Sequence, residues 1–225
     1  MPDLIAACGY FLLIHFGVSG TRLRDVLTDK LGEGPFRGLF SLASLIGIAW
    51  VIYAYRRAPL IPTWGFLAGF RPAAYVLVLI AFLFAGIGIL TPSPTRVGME
   101  SQLDAGSARG MVRITRNPFL WGIGLWAVTH LVINGDEASL TLFGTMLLLA
   151  MGGMASIDAK RRRRFPERWA RFAQATSSVP FAAIARGGNR LGPALAEIGP
   201  WRVLAALALY ALAFYLHGRI GPPLT

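Results

Sequence analysis

Six apolar runs divide the chain, at residues 4–19, 39–55, 73–90, 119–133, 140–157 and 203–216, and none of them contains Asp, Glu, Lys or Arg. The segments between them are polar and basic. Crossing a bilayer takes about 20 mostly apolar helical residues, so each run reaches that length only with its flanks. The fourth run is the weakest candidate. It meets the fifth through Asn134-Gly135-Asp136, which reads as a tight turn. If those two runs were a re-entrant hairpin, four spans would remain. The pattern predicts an all-α fold, a polytopic transmembrane helix bundle of about six spans, built as one domain over residues 1–225.

Composition sharpens this expectation. Of 225 residues, 55% are hydrophobic and only 15% charged, where a soluble domain carries about 25% charged residues. Charge is what lipid excludes, so the shortfall is the stronger signal. The net charge of +11 does not point to nucleic acid, because the basic residues lie between apolar runs rather than on one face with aromatics. Cys8 is the one cysteine, which excludes an internal disulfide and a cysteine-based zinc cluster. Ile5-Ala6-Ala7-Cys8 is like a lipoprotein cleavage box but lacks a basic segment before it, so the first run reads as a retained helix. Lysine occurs only at Lys30 and Lys160, and the arginine bias, with abundant Ala and Gly, suggests a GC-rich bacterial genome and hence a bacterial inner membrane.

The loops alternate in charge. Arg22, Arg24, Lys30 and Arg37 follow the first run; Arg96, Arg109, Arg113 and Arg116 follow the third; Lys160, Arg161 to Arg164, Arg168, Arg171, Arg186, Arg190 and Arg202 follow the fifth. The opposite side has Arg56, Arg57, Arg71 and Arg219. By the positive-inside rule the first set is cytoplasmic and both termini are periplasmic. After the fifth run, Phe165, Trp169 and Phe172 share a helical face beside Arg164, Arg168 and Arg171. That pattern predicts a basic interfacial helix before the last span, lying on anionic lipids at the cytoplasmic face. Ala43/Gly47 and Gly152/Ser156 are small pairs four apart that permit close helix contact. Pro92, Pro94 and Gly98 predict a structured turn region within 91–108.

Three histidines carry the candidate chemistry: His15 in the first run, His130 in the fourth and His217 at the end of the sixth. A neutral imidazole is a good axial ligand for haem iron, and two on different helices can clamp a porphyrin. Each could equally bond to a neighbouring helix. Cys8 and Ser19 lie at helical spacings from His15, and Trp126 and Asn134 at i−4 and i+4 from His130. At 1.5 Å per residue, His15 lies about 4–5 Å to one side of its span centre and His130 about 6 Å to the other, roughly 10 Å apart in depth. His130 and His217 are closer on that scale, so depth alone leaves the pair open. Arg113 and Arg116 stand just before a predicted helix with Pro118 in its first turn. A cationic helix start of this kind can hold a carboxylate or phosphate, or simply anchor at the headgroups. No phosphate-binding glycine loop, His-Glu-x-x-His or serine triad is present.

The segments His15-Phe16-Gly17-Val18-Ser19-Gly20 with Arg22, Val112 to Pro118, Trp126 to Leu131, Asn134-Gly135-Asp136 and Ser178-Val179-Pro180-Phe181 together resemble the NnrU family. The likeness extends to 15-cis-zeta-carotene isomerases of plants and cyanobacteria. It implies an association with denitrification, in nitrite and nitric oxide reduction, or haem-dependent isomerase-like chemistry. It also implies haem b held by two histidines, matching His15 and His130; the cationic pair Arg113 and Arg116 at the helix start is then the candidate holder of an anionic group, a haem propionate or a lipid phosphate. The isomerases carry cysteine where this chain has Ala127, and histidine where it has Asn117. A more distant resemblance is to isoprenylcysteine and phospholipid methyltransferases, whose Arg-His-Pro-x-Tyr-x-Gly aligns with Arg116 to Gly122 but lacks its His and Tyr here, while one of two glutamates is replaced near Asp158. That likeness implies S-adenosylmethionine as an alternative cofactor. A non-enzymatic role as assembly or electron-transfer partner of a membrane reductase is the third reading.

The charge alternation yields a direct test. Reporter fusions after Leu31, Gly106 and Gly188 should read as cytoplasmic, and fusions after Pro59 and Thr225 as external. A cytoplasmic reading at Thr225 would remove the even number of crossings.

Overall fold

The computed structural model describes residues 1–96, 98–99, 103 and 108–220. All six apolar runs are helical. Helix α1, Pro2–Leu12, continues as a π-helix, Leu13–Val18; α2 is Leu23–Leu31 and α3 Glu33–Arg57. A short strand β1, Pro62–Phe66, precedes α4, Arg71–Leu90. Then follow α5, Met111–Ile114; α6, Pro118–Ile133; strand β2, Asn134–Asp136; and α7, Glu137–Arg164. The chain ends with α8, Pro166–Ala175; α9, Ala182–Ala185; α10, Leu191–Ile198; and α11, Pro200–Ile220. Among the described residues, four helices are long and apolar enough to cross a membrane: Glu33–Arg57, Ala68–Leu90, Glu137–Arg164 and Pro200–His217. Pro2–Val18 with Leu23–Leu31, bent by 76°, would make a fifth span. At 16 residues α6 is shorter, about 24 Å of helix against a hydrocarbon core of about 30 Å.

The chain divides into two compact units, Met1–Ala74 with Ala127–Ser156, and Tyr75–Trp126 with Ile157–Thr225. In the first unit α1 and α3 run antiparallel. Trp50 Nε1 donates to Asp3 Oδ1 at 2.9 Å, the Tyr10 hydroxyl to the Ala43 carbonyl at 3.3 Å, and the His15 ring meets Phe40. A side chain at Gly47 would lie 2.9 Å from the Tyr10 ring and 3.0 Å from Phe11, so its absence sets the approach. Helix α7 backs this pair, with Phe16 seated over Gly152. Tyr55 on α3 shares a 2.9 Å hydrogen bond with Ser139 on α7.

Residues 134–136 are not the isolated tight turn expected from sequence. They form β2, which joins α6 to α7 and pairs antiparallel with β1, Gly65 opposite Gly135 and Phe66 opposite Asn134. Around this ribbon Leu67 N–H donates to the Ile133 carbonyl and Glu137 N–H to that of Ile61, each at 3.0 Å. Asp136 accepts the Ser139 N–H at 2.9 Å, capping α7. A Cβ at Gly135 would fall 2.4 Å from the Trp64 ring and 2.5 Å from Gly65 backbone, so the ribbon admits only glycine there.

In the second unit, Gly86 on α4 meets Ala206 on α11, and Gly122 on α6 meets the α4 backbone at Ala81 and Ala85. Ile87, Met111, Ile114, Ala194, Ile198 and Ala206 form one core. Leu103, Val112, Trp169 and Phe172 form another. The second core revises an expectation. Helix α8 exists where the pattern placed it and its Arg168 and Arg171 are exposed, but Trp169 and Phe172 are buried in protein rather than turned to lipid. The turn region after α4 is structured where described, with Thr91, Ser93, Pro94 and Thr95 all buried; the expected contribution of Gly98 adjoins residues outside the described set.

The tightest helix contact gives the fold's test. Gly122→Ala would place its Cβ 2.6 Å from α4 backbone and should destabilise the protein by about 1–3 kcal/mol. Gly9→Ala, with nothing within 4 Å, should not lower the melting temperature in detergent. Equal melting temperatures for the two variants would refute the close packing.

Candidate functional site

His15 lies in the π-helix, where the Ser19 N–H reaches back to the Ile14 carbonyl at 3.0 Å. A π-turn interrupts the 3.6-residue register and re-aims its side chains, and such turns gather at functional sites. The expected shared face of Cys8, His15 and Ser19 assumed an unbroken α-helix and does not carry across this turn. His15 Nδ1 sits 2.7 Å from the Phe11 carbonyl oxygen. A carbonyl only accepts, so Nδ1 holds the proton and Nε2 presents its lone pair. Phe11 and Phe40 wall the ring, with centroids at 4.4 and 5.2 Å. One turn along α3 from Phe40, Ser44 Oγ is buried with no hydrogen-bond partner.

His130, near the end of α6, stacks on Phe143 of α7 at 4.6 Å with an interplanar angle of 27°. Phe143 in turn meets Tyr55 edge-on. Ala127, fully buried, lies one helical turn from His130. His15 and His130 belong to the first unit, and both of their helices pack on α7; His217 belongs to the second. Buried Cys8 hydrogen-bonds to Thr145, also on α7.

No three His, Cys, Asp or Glu side chains converge on a metal-ion site among the described residues. A haem asks for less, since one or two imidazoles suffice. The fit is good at His15, whose Nδ1 tie to a carbonyl is the usual outer support of a metal-ligating imidazole. The orphaned Ser44 hydroxyl nearby adds a polar group that the protein itself does not satisfy.

Arg113 and Arg116 are arranged differently from the sequence expectation. Arg116 makes a bidentate pair with Asp158 at the end of the apolar stretch of α7, and its guanidinium lies 5.2 Å over the Trp169 ring. Arg113 pairs through Nε and Nη2 with Glu197 of α10, at 2.8 and 2.7 Å, and donates from Nη1 to Asn189. Each arginine therefore faces a carboxylate of the chain itself. The Ser178 carbonyl takes bonds from Thr115 Oγ1 and Trp121 Nε1, so segments 112–121 and 176–181 form one clasp. Phe181 enters it with a left-handed backbone, φ 64°. Asp158 and Glu197 were not singled out as partners by the sequence. The signal was there for Asp158, a lone acid opening a run of five basic residues.

The family described as NnrU protein matches residues 3–223. The chain is similar to the chloroplastic 15-cis-zeta-carotene isomerase of Arabidopsis thaliana, 29% identical over 221 residues, which are 92% of this chain and 57% of that one. It is also similar to the protein of the same name from Zea mays, 25% identical over 190 residues, 80% of this chain and 50% of that one. The chain thus spans about half the length of these relatives. No solved structure matches it.

The Arg113–Glu197 pair makes stability depend on pH. Arg113 beside it, with the Gly110 N–H, holds the Glu197 carboxyl down to about 2 from 4.5. A depressed carboxylate stabilises the fold above its ordinary range and loses that contribution as pH falls through its folded value. Glu197→Gln should lower the neutral-pH melting temperature by roughly 2–4 °C. The gap to the parent should close between pH 4.5 and about 2. A gap unchanged across that window would remove the ion pair as its cause.

Proposed function

This chain belongs to the NnrU family, and on that premise we propose that it holds haem b within the membrane, where His15 and His130 would be the residues that hold it. The activity that best suits this site is isomerase-like chemistry on a membrane-dissolved polyene. The observation that carries the reading is the π-turn at His15, with Nδ1 committed to the Phe11 carbonyl. Its Nε2 is a ready ligand atom on a ring walled by Phe11 and Phe40. The plant relatives' names supply the substrate class, a carotenoid with a 15-cis double bond. When bound, the haem supplies a redox-active iron beside a conjugated chain.

The protein's own residues do the rest. The π-turn aims His15, and Phe11 and Phe40 keep water from its ring. Phe143 fixes the plane of the second imidazole. Substrate reaches such a site by lateral diffusion in the lipid, since a carotenoid has no appreciable aqueous concentration. The membrane is a bacterial inner membrane with both chain termini periplasmic, and the basic side faces anionic cytoplasmic lipids. Within that membrane the same redox centre suits the nitrite and nitric oxide reduction that the family resemblance implies, with a membrane reductase as partner.

The test is spectroscopic. Protein purified in detergent should show a Soret band and, on reduction, the sharp bands of a low-spin, six-coordinate haem. His15→Ala and His130→Ala should each lose haem or turn five-coordinate, while His217→Ala keeps the parent spectrum. Haem loss in His217→Ala with retention in His15→Ala would overturn the assignment.

A further inference from the structure

The sequence assigned the membrane surface to α8, yet the helix that leaves its apolar face uncovered is α2. No residue of α2 is buried; Leu23, Val26 and Leu31 are 46%, 49% and 46% exposed. At 100° per residue, Leu23, Val26, Leu27 and Leu31 fall within one arc, with Lys30 inside it. Arg24, Asp25, Thr28 and Asp29 occupy the opposite arc. That polar side is held to the protein. Arg24, whose side chain is 12% exposed, donates to both oxygens of Glu33 at 3.0 and 3.1 Å and lies over the Phe36 ring.

Both ends of α2 are pinned. Thr21 Oγ1 donates to the Gly17 carbonyl at 2.6 Å and accepts the Leu23 N–H at 3.2 Å, bracing the 76° corner after the first span. Gly32, at φ 86°, ends α2 and starts α3, the next membrane helix. A nine-residue helix set between the apolar segment Pro2–Val18 and the candidate span α3, bent 76° from the former, is placed to run along a membrane surface rather than on across it.

We propose that α2 rests in the bilayer interface, with Leu23, Val26, Leu27 and Leu31 in the boundary between headgroups and acyl chains. Lys30 reaches its ammonium to the headgroup phosphates along its own apolar stem. Arg22 and Arg37, flanking the helix, give that surface the charge to favour anionic lipid. The occupant is the membrane itself, since the helix is continuous at both ends with segments that enter it. The proposal stands independently of the haem reading.

Site-directed labelling tests it. Cys8 is buried, so a cysteine introduced at Val26→Cys or Asp25→Cys is the accessible thiol. Each variant, carrying an environment-sensitive fluorophore, is reconstituted in vesicles of phosphatidylcholine with phosphatidylglycerol. The Val26→Cys label should emit to the blue of the Asp25→Cys label and be quenched by lipids spin-labelled near the headgroup. The Asp25→Cys label should report water. Matching aqueous emission at both positions would overturn the proposal. So would stronger quenching of both by labels deep in the acyl chains, which would make α2 the second half of a broken span.

Discussion

Inside a bilayer no water satisfies a backbone N–H or C=O, so each must find a partner within the chain. The departures from plain helix in this protein follow from that constraint. Helix α6 has 16 residues, and the chain turns at once into α7. A bare turn there would leave carbonyls and amides unpaired. Instead Ile133, Asn134, Gly135 and Glu137 are paired by 61–67, and Trp64 Nε1 takes the Val132 carbonyl at 3.2 Å. The ribbon β1–β2 finishes the ends of two helices. The same constraint explains why the π-turn is tolerated at His15: its carbonyls keep partners, one of them the Ser19 amide, while the register shifts.

The arginines extend this logic beyond the spans. They read in sequence as topological markers, and several do act at a surface. Many, however, close helix ends, where the last carbonyls have no helical partner. Arg202 takes the Leu90 carbonyl at the end of α4 and the Ile198 carbonyl at the end of α10. Arg186 reaches the Ala173, Gln174 and Thr176 carbonyls after α8. Arg161, buried, takes the Pro94 and Arg96 carbonyls. Arg116 and Arg113 meet carboxylates instead, because a cation lodged among packed side chains is costly without an opposite charge. The alternation of charge across the loops and the internal clasp are thus built from the same residues.

That double use marks what the sequence makes legible. Apolar length and excluded charge identify the membrane helices, because lipid imposes both residue by residue. The amphipathic pattern of α8 was correctly placed, but a periodic apolar face does not say whether lipid or protein will cover it. Val112 and Leu103, distant in sequence, cover Trp169 and Phe172. The π-turn had no signal, since Leu13 to Val18 read as ordinary helix; only tertiary packing selects the wider turn. The partners Asp158 and Glu197 were obscured by distance along the chain, 42 residues from Arg116 and 84 from Arg113. His15 and His130 stand out in the sequence because imidazole is rare in apolar runs; their surroundings, Phe40 of α3 and Phe143 of α7, come from distant segments.

The depth of the two histidines seemed to count against their pairing, by about 10 Å along the membrane normal. Both histidine-bearing helices pack on α7, which gives the two levels a common reference. Cys8 lies beside Thr145 and Phe16 beside Gly152, so α1 runs parallel to α7. Helix α6 returns into α7 through three residues and is antiparallel to both. Side chains on a helix lean toward its N-terminus. His15 does so visibly, since its ring reaches back to the Phe11 carbonyl. The lean of His130 points toward the start of α6, which is the opposite direction in space. On α7 the His130 ring lies at Phe143, and Phe16, the neighbour of His15, lies at Gly152. Opposed helices bring such rings together where parallel helices would carry both the same way.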